Sequence, residues 1–180
     1  VNNIFARIDA LESLFAECWT GGADIHRSYL DARTGRGDST VPGDVWSAAL
    51  TDTAFHVPAD RLLEANAAAG RPTYGYVFTW HSPANGGALG ACHSLDVFFV
   101  SGTHVLVPGF AGSGPTADRL STTMMDAWVA FATTGDPSTP SLHWPRFETD
   151  TRPIMVLGEQ CHMVEGWHEE ERRAWDGVIP

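Results

Sequence analysis

His93 is the side chain of this sequence best placed for acid–base chemistry. It follows a glycine-rich approach, residues 85–90, and precedes an apolar run, residues 95–100. A loop that presents an imidazole, followed by a segment that anchors in a core, is a typical mount for a general base. The sequence offers it no nucleophile, because it contains no Gly-x-Ser-x-Gly motif and no cysteine in a recognisable nucleophile motif. We therefore expect His93 to be one part of a site whose other parts lie elsewhere.

Three other side chains could be taken for parts of the same site. Asp96 follows His93 by three residues, so one helical turn would bring both to one face and let the carboxylate orient the ring. Cys92 is adjacent to His93, but neighbouring side chains point apart, which favours a small packed residue. Glu12 lies in an amphipathic pattern that predicts a solvated helix face. We predict that His93 alone is catalytic in this chain.

Metal and cofactor chemistry are not indicated. Residues with metal-ligating side chains gather near the end of the chain, at Cys161, His162, His168 and Glu169. Their spacing fits no common ligand pattern well. We predict no metal ion and no organic cofactor.

Composition excludes several classes of protein. The 180 residues suffice for one domain with a sizeable core, and a hydrophobic fraction of 43% is that of a packed globular protein. A net charge of −11 disfavours nucleic acid or an anionic membrane as a partner, since both need clustered basic charge. All the basic residues are arginine, a bias that we attribute to a high-GC, bacterial genome.

The cysteines and the start of the chain bear on its location. Cys18, Cys92 and Cys161 form no Cys-x-x-Cys pair and are odd in number, which indicates no disulfide framework and slightly favours the cytoplasm over secretion. No apolar run approaches the roughly 20 residues that span a bilayer. The first residues lack signal-peptide features and an initiator methionine, so we expect a fragment of a longer protein.

The first seventy residues predict helices separated by polar loops. Apolar residues recur at helical spacing over residues 8–15 and 46–50. Glycine, aspartate and serine mark loops at residues 20–23 and 34–40. A further helix is predicted over residues 58–70, where the final glycine can end it in the left-handed conformation. This part of the chain is expected to form a helical layer.

The sequence changes character in its second part. The segment 73–80 is aromatic and β-branched, which predicts a strand buried on both faces, and 153–157 predicts a second strand. Between them, residues 117–134 predict the longest helix, ended by Gly135 and a proline. Residues 164–175 predict a surface helix. Because two strands cannot make a self-sufficient sheet, we expect further strands outside this chain.

Six segments occur in an order that is itself informative. They are T-D-T-A-F-H-V-P-A from residue 51, Y-G-Y-V-F-T-W-H-S-P from 74, L-G-A-C-H-S-L-D-V-F-F-V-S-G from 89, M-M-D-A-W-V-A-F-A-T-T-G-D-P from 124, W-P-R-F from 144 and R-P-I-M-V-L-G from 152. Together they resemble the C-terminal portion of type B carboxylesterases, the cholinesterase-like branch of the α/β-hydrolases. The likeness covers the chain from about residue 45 onward.

The resemblance implies an α/β fold and divides one esterase domain in two. Residues 1–70 would form the helical layer, and residues 71–180 the last strands of the central sheet, the histidine loop and the C-terminal helices. In that family the histidine of the Gly-Ala-x-His segment is the general base, which carries this role to His93. The serine nucleophile and the acid lie earlier. Aligning Phe5 with the family's phenylalanine puts the acid at about Val1 or one residue before it, and this sequence has no carboxylate there.

The resemblance also bears on the neighbours of His93. It makes Asp96 the structural acid that ties down the loop. In the family this region contributes to the acyl and alcohol pockets, and here Trp80, Phe98 and Phe99 flank the loop. An ordinary aromatic core is an equally good interpretation of these three residues.

The resemblance implies an esterase that hydrolyses small-molecule carboxylic esters through a serine acyl-enzyme, with the rest of the same protein as its partner. The isolated chain is expected to be inactive. Two other functions stay open: a non-catalytic cholinesterase-like binding or adhesion domain whose serine has been lost, and an independent helical binding module. A Gly-x-Ser-x-Gly motif upstream would exclude the first. A cooperative melt as a monomer would favour the second, because a severed sheet should associate through its apolar edge.

Overall fold

The structure, a computed structural model, describes residues 10–179. This part of the chain divides into two units, each described by itself below. Residues 10–62 and 168–179 form what we call the helical unit, and residues 63–167 form the sheet unit. No helix in the described range is both long enough and apolar enough to cross a membrane.

Helices predominate over strands along the chain. The helices are α1 (Leu11–Cys18), α2 (Gly22–Arg36), α3 (Pro42–Thr51), α4 (Val57–Ala68), α5 (Leu95–Val100), α6 (Pro108–Ala111), α7 (Pro115–Thr134) and α8 (Glu169–Arg173). Shorter helical turns are a π-helical turn at Asp52–His56 and 3₁₀ turns at Ala84–Gly87 and His104–Leu106. The strands are β1 (Gly75–Phe78), β2 (Pro153–Leu157) and β3 (His162–Glu165).

The helical unit confirms the predicted helices and shortens the predicted loops. α2 extends over residues assigned to both loops, because Gly21 and Gly37 at its two ends take the left-handed conformation, with φ of 73° and 77°. Gly22 lets α2 begin against α1, since a Cβ there would lie 2.0 Å from the carbonyl oxygen of Phe15. Phe15 is fully buried and packs edge-to-face on Trp46, with ring centroids 5.5 Å apart.

The end of the chain differs from the predicted surface helix over residues 164–175. Only Glu169–Arg173 is helical, and Val164 instead lies in β3, paired with Ile154. Trp175 is fully buried, and its indole Nε1 donates to the hydroxyl of Tyr29 at 2.8 Å. Charged residues outnumber apolar ones in this segment, so its composition indicated a solvated helix and gave no sign that Trp175 is buried.

The sheet has three described strands in the order β1–β2–β3. β1 and β2 are parallel, with Tyr76 opposite Met155, and β3 is antiparallel to β2. β2 is buried at all five positions because it lies between the other two. Both predicted strands are confirmed, the first over a shorter range. The sequence missed β3 because four residues are too few for alternation to identify a strand.

β1 is less buried than the prediction of a strand covered on both faces requires. Gly75 is buried, but Tyr76 is 40% exposed and the next two residues are half-buried. Within residues 10–179 β1 pairs with β2 alone, so it is an edge strand. On one face, Gly75 makes room for its neighbours, since a Cβ there would lie 2.6 Å from Ile154 Cδ1 and 2.9 Å from Leu63 Cδ1. On the other face, Phe78 packs against the buried ring of Phe99, at 5.4 Å.

The helix predicted over residues 117–134 is confirmed as α7. It begins two residues earlier, with Pro115 in its first turn, and ends at Gly135, whose φ of 77° is left-handed as expected for a terminating glycine. α7 packs against α5. Leu120 and Met124 of α7 enter the apolar core of the sheet unit together with Leu157 of β2. This core holds α5 in place.

Candidate active site

The loop that carries His93 begins where β1 ends, at the carboxyl end of a parallel strand pair. Ser82 ties the loop down: its backbone N–H donates to the carbonyl of Gly90 at 2.9 Å, and its buried hydroxyl donates to the carbonyl of Phe110 at 2.6 Å. Within the segment that the hydrogen bond from Ser82 to Gly90 closes, Asn85 and Gly86 take left-handed conformations, with φ of 53° and 66°. The glycine-rich approach is therefore a folded, hydrogen-bonded loop.

His93 is exposed and lies in a turn directly before α5. Ser94, the next residue, has a φ of 65°, so the chain reverses at this point before the helix begins. Leu95 and Phe99 of α5 are fully buried in the core of the sheet unit. The structure thus combines an accessible imidazole with an anchored segment behind it, as the sequence predicts.

Asp96 contacts the sheet. Its Oδ2 accepts a hydrogen bond at 3.0 Å from the hydroxyl of Tyr76 on β1. Burial, together with the charge of Asp96, raises the pKa of Tyr76 to about 12. Tyr76 therefore keeps its proton at neutral pH and acts as a donor to the carboxylate.

The far end of α5 is fixed by residues that sequence reasoning missed. Ser121 of α7 is buried and donates to the carbonyl of Phe99 at 2.7 Å. His104 is 4% exposed, and its ring stacks on that of Phe99 with centroids 5.2 Å apart. His104 Nε2 lies 3.0 Å from Asp118 Oδ1. These residues are distant from His93 in sequence and carry no motif, so only the fold reveals their relation to the loop.

The aromatic residues that flank the loop contribute to the core. Phe99 is fully buried, and Phe98 packs edge-to-face on Phe110, at 5.8 Å. Trp80 packs on Phe99 and donates from Nε1 to the carbonyl of Ala111 at 2.8 Å. The structure supports ordinary core packing for Phe99, whereas Trp80 and Phe98 are half-buried and Trp80 also lines a cavity.

An open cavity of about 460 Å³ lies at the carboxyl ends of β1 and β2. Two imidazoles and one carboxylate contribute to its lining, from His81, His162 and Glu159. Cavities in this position at the ends of parallel strands are common ligand sites. The remaining lining residues are Thr79, Trp80, Val156 and Gln160.

The structure also places the other side chains that the sequence analysis considered as site residues. Cys92 is half-buried and packs against the core of the sheet unit, and Cys161 is half-buried, which raises the pKa of its thiol. Glu12 is exposed on α1. All three cysteines are free thiols. Within residues 10–179, no three histidine, cysteine or carboxylate side chains come together as a metal site. The expected position of the triad acid, at about Val1, lies outside the described residues.

The comparisons with known proteins agree with one another. A sequence model of the carboxylesterase family matches residues 5–175. Phenmedipham hydrolase of Pseudarthrobacter oxydans is 33% identical over 133 residues, covering 69% of this chain and 26% of that protein. Para-nitrobenzyl esterase of Bacillus subtilis is 32% identical over 126 residues, covering 69% of this chain and 25% of that protein. The chain therefore spans about a quarter of the length of these relatives.

Solved structures show the same likeness. A PNB esterase superimposes with a TM-score of 0.67 at 27% identity, over 76% of this chain and 28% of the other. An esterase from anaerobic Clostridium hathewayi, described as able to hydrolyse aliphatic aromatic polyesters, gives a TM-score of 0.67 at 25% identity, over 94% of this chain and 32% of the other. The fold is that of the C-terminal portion of an α/β-hydrolase, as the resemblance implies.

Proposed function

The chain belongs to the carboxylesterase family, and from this premise we propose that it supplies the general base, His93, of an enzyme that hydrolyses carboxylic esters through a serine acyl-enzyme. A serine hydroxyl is a poor nucleophile until a base within hydrogen-bond reach accepts its proton. The same imidazolium then protonates the leaving alcohol. His93 would perform both transfers.

The observation that carries the proposal is the mounting of His93. The imidazole is exposed on the loop that follows β1, while Leu95 and Phe99 behind it are fully buried. A general base must be accessible to its partner and fixed in direction, and this arrangement supports both requirements.

The serine and the acid would come from the remainder of a longer protein, in the chain order serine, acid, histidine. The coverage of about a quarter of each relative's length supports this division. So does the edge position of β1, which within the described residues has a partner on one side only. A further parallel strand could pair there and bring its own loop to the same edge of the sheet.

A direct test uses the longer protein, expressed with the sequence that precedes this chain. A fluorophosphonate probe should label its serine, and p-nitrophenyl acetate should be hydrolysed. His93→Gln should lower kcat about 10⁶-fold, because a triad that lacks its base retains only binding and oxyanion stabilisation. His143→Gln, which changes an exposed histidine outside the loop and outside the cavity, is the matched control and should leave kcat within about twofold. Unchanged labelling and turnover in His93→Gln would contradict the proposal.

The 180-residue chain alone gives a complementary test. Purified free of host esterases, it should not turn over p-nitrophenyl acetate. Turnover that depended on His93 would show that the chain contains its own nucleophile. If the longer protein folded but resisted the fluorophosphonate probe, the non-catalytic binding domain would be favoured instead.

A further inference from the structure

A hydrogen bond joins the sheet to the helix that follows His93. The hydroxyl of Tyr76, on β1, donates to Asp96 Oδ2 at 3.0 Å. Asp96 lies in the first turn of α5, three residues after His93. The contact therefore runs from a strand to the segment on which the His93 turn depends.

Tyr76 is itself held firmly. Its ring meets those of Trp128 and Trp144 edge-to-face, at 5.3 Å and 6.3 Å between centroids, with interplanar angles of 77° and 79°. The two indoles also contact each other, at 6.1 Å. Since edge-to-face pairs fix ring orientation, the hydroxyl points where β1 and the two tryptophans direct it.

The hydrogen bond supplies a kind of restraint that the apolar anchors do not. Burial of Leu95 and Phe99 fixes the depth of α5 but is non-directional, so it restrains rotation about the helix axis only weakly. At the far end, Ser121 donates to the carbonyl of Phe99 at 2.7 Å. At the near end, the backbone N–H of Leu95 donates to the carbonyl of Cys92 at 3.2 Å, and the hydrogen bond from Tyr76 to Asp96 adds a directional restraint that joins this turn to the sheet. A carboxylate acceptor makes such a bond roughly twice as strong as a neutral one.

The link from Asp96 to His93 is short. Only Ser94 and Leu95 separate them, and Ser94 has a φ of 65°, a conformation that non-glycine residues adopt at a cost. A rotation of the first turn of α5 would therefore displace His93 directly.

We propose that Tyr76 is a positioning residue: its hydroxyl, acting through Asp96, sets the direction in which the turn before α5 presents His93. The geometric part of this inference concerns the chain itself. Its consequence for ester hydrolysis rests on the proposed function.

The geometric part is tested on the 180-residue chain by NMR of the imidazole rings, with the His93 signals assigned by their loss in His93→Gln. Tyr76→Phe removes one oxygen and keeps the ring, and should shift or broaden the His93 signals while those of the exposed His143 stay unchanged. The matched control is Tyr74→Phe, two residues earlier. Tyr74 packs on Phe131 and accepts from Arg146 Nε at 3.3 Å, so its loss should leave His93 unchanged. Unmoved His93 signals in folded Tyr76→Phe would overturn the proposal.

The functional part is tested by kinetics in the longer protein. Tyr76→Phe should lower kcat about tenfold and leave KM within about twofold, because it misplaces the base without changing substrate contacts. Asp96→Asn should have a similar effect, and the double variant should be no worse than either single one, since both remove the same contact. An unchanged kcat in Tyr76→Phe would overturn the role in hydrolysis, as would additive losses. A far larger loss in Asp96→Asn would place Asp96 directly on His93 and overturn the role of Tyr76.

The two proposals fail in distinguishable ways. Full activity in His93→Gln would refute the proposed function, while the NMR comparison of Tyr76→Phe with Tyr74→Phe would still decide whether Tyr76 orients the turn.

Discussion

The two units bury polar groups of different kinds. In the helical unit the buried polar side chains include two carboxylates, Asp52 and Glu171. In the sheet unit they include two hydroxyls, Ser82 and Ser121, which donate to backbone carbonyls, and the imidazole of His104, which lies 3.0 Å from Asp118 Oδ1. A neutral hydroxyl bonded to a carbonyl contributes a modest amount at any pH, whereas a buried charge depends strongly on its partner. The comparison teaches that the two serine contacts near the His93 loop do not titrate, unlike the carboxylate contacts of the helical unit.

A series of hydrogen bonds joins residues 168–179 to the other helices of the helical unit. Trp175 Nε1 donates to Tyr29 at 2.8 Å, and the Tyr29 hydroxyl donates to Asp52. The other oxygen of Asp52 lies 2.8 Å from His56 Nδ1. Burial, and then the charge of Asp52, raise the pKa of Tyr29 far above its ordinary value, so it remains a neutral donor in this chain.

Glu171 forms a second attachment. It is 1% exposed, and its carboxylate lies 2.9 Å from Arg36 Nη2 and 3.1 Å from His168 Nδ1. Burial by itself would raise the pKa of Glu171, but the contacts with His168 and Arg36 outweigh it and lower that pKa. Removing the charge of Glu171 is therefore costly, although Arg36 would keep its contact with Asp38 at 2.9 Å.

The largest expected effect is that of Trp175→Ala. It removes a fully buried ring that packs on Trp19 at 5.0 Å, together with the hydrogen bond to Tyr29. We expect a loss of about 3–5 kcal/mol in the free energy of unfolding. Hydrogen exchange followed by mass spectrometry should show faster exchange in peptides from α1 and α2 and no change in those from β1 and β2. Equally faster exchange in the peptides from α1 and α2 and in those from β1 and β2 would contradict the distinction between the two units.

Glu171→Gln should have the next largest effect. It removes the buried charge opposite Arg36 and should cost about 1–3 kcal/mol by chemical denaturation. The adjacent Glu170 gives a matched control: its side chain is 69% exposed and lies 4.0 Å from Arg36, so Glu170→Gln should change stability by less than about 0.5 kcal/mol. Similar costs for both variants would mean that burial of Glu171 is unimportant.

The helical unit should lose stability at both ends of the pH range. The hydrogen bond to Asp52 raises the pKa of His56, opposed by burial and aided by the charges of Asp52, Asp60 and Glu171. Because the pKa of His56 is raised from 6.5, the stability that protonated His56 contributes is complete below pH 6.5. It is lost as the pH rises through the folded-state pKa of His56. The pKa of Glu171 is lowered from 4.5, so its stabilisation is present above pH 4.5 and is lost as the pH falls through its folded-state value.

The pH dependence is checked by exchange of α1 and α2 peptides between pH 4 and pH 9. His56→Asn should flatten the alkaline side of the profile, and Glu171→Gln the acid side. A wild-type profile retained in both variants would assign the pH dependence to other groups.

The smallest expected effect belongs to the sheet unit. Ser121→Ala removes one of two donors to the carbonyl of Phe99, which keeps the backbone N–H of Gly102 at 3.2 Å, and should cost about 1 kcal/mol, by an amount that does not change with pH. Thr122→Ala is the control, since Thr122 is exposed and bonds only within its own helix, to the carbonyl of Asp118 at 2.9 Å. A cost of Ser121→Ala that varied with pH would remove the distinction between the two units.

The sequence predicted the site region better than the rest of the molecule. Segments around β1, His93, α7 and β2 have strong local signals: clustered aromatics, a glycine-rich approach and a glycine that ends a helix. The surface helix over residues 164–175 was predicted wrongly, and β3 was missed. β3 follows β2 closely but is too short for alternation to identify it, whereas Trp175 is buried against Tyr29, a partner distant in sequence. Local periodicity carries no information about such partners.

The resemblance of the sequence to a known family implied the fold, and residue types by themselves determined the position of His93 on an anchored loop and the approximate extents of β1, β2 and α7. These follow from residue types at short spacing, which set local conformation and the burial of one face. The tertiary structure decided what surrounds that loop, with Tyr76 on Asp96 and Ser121 on the carbonyl of Phe99. In the helical unit it decided the pairing of the buried Glu171 with Arg36. Hydrogen bonds require atoms to meet within about 3 Å, and only the packed chain brings residues from distant elements that close.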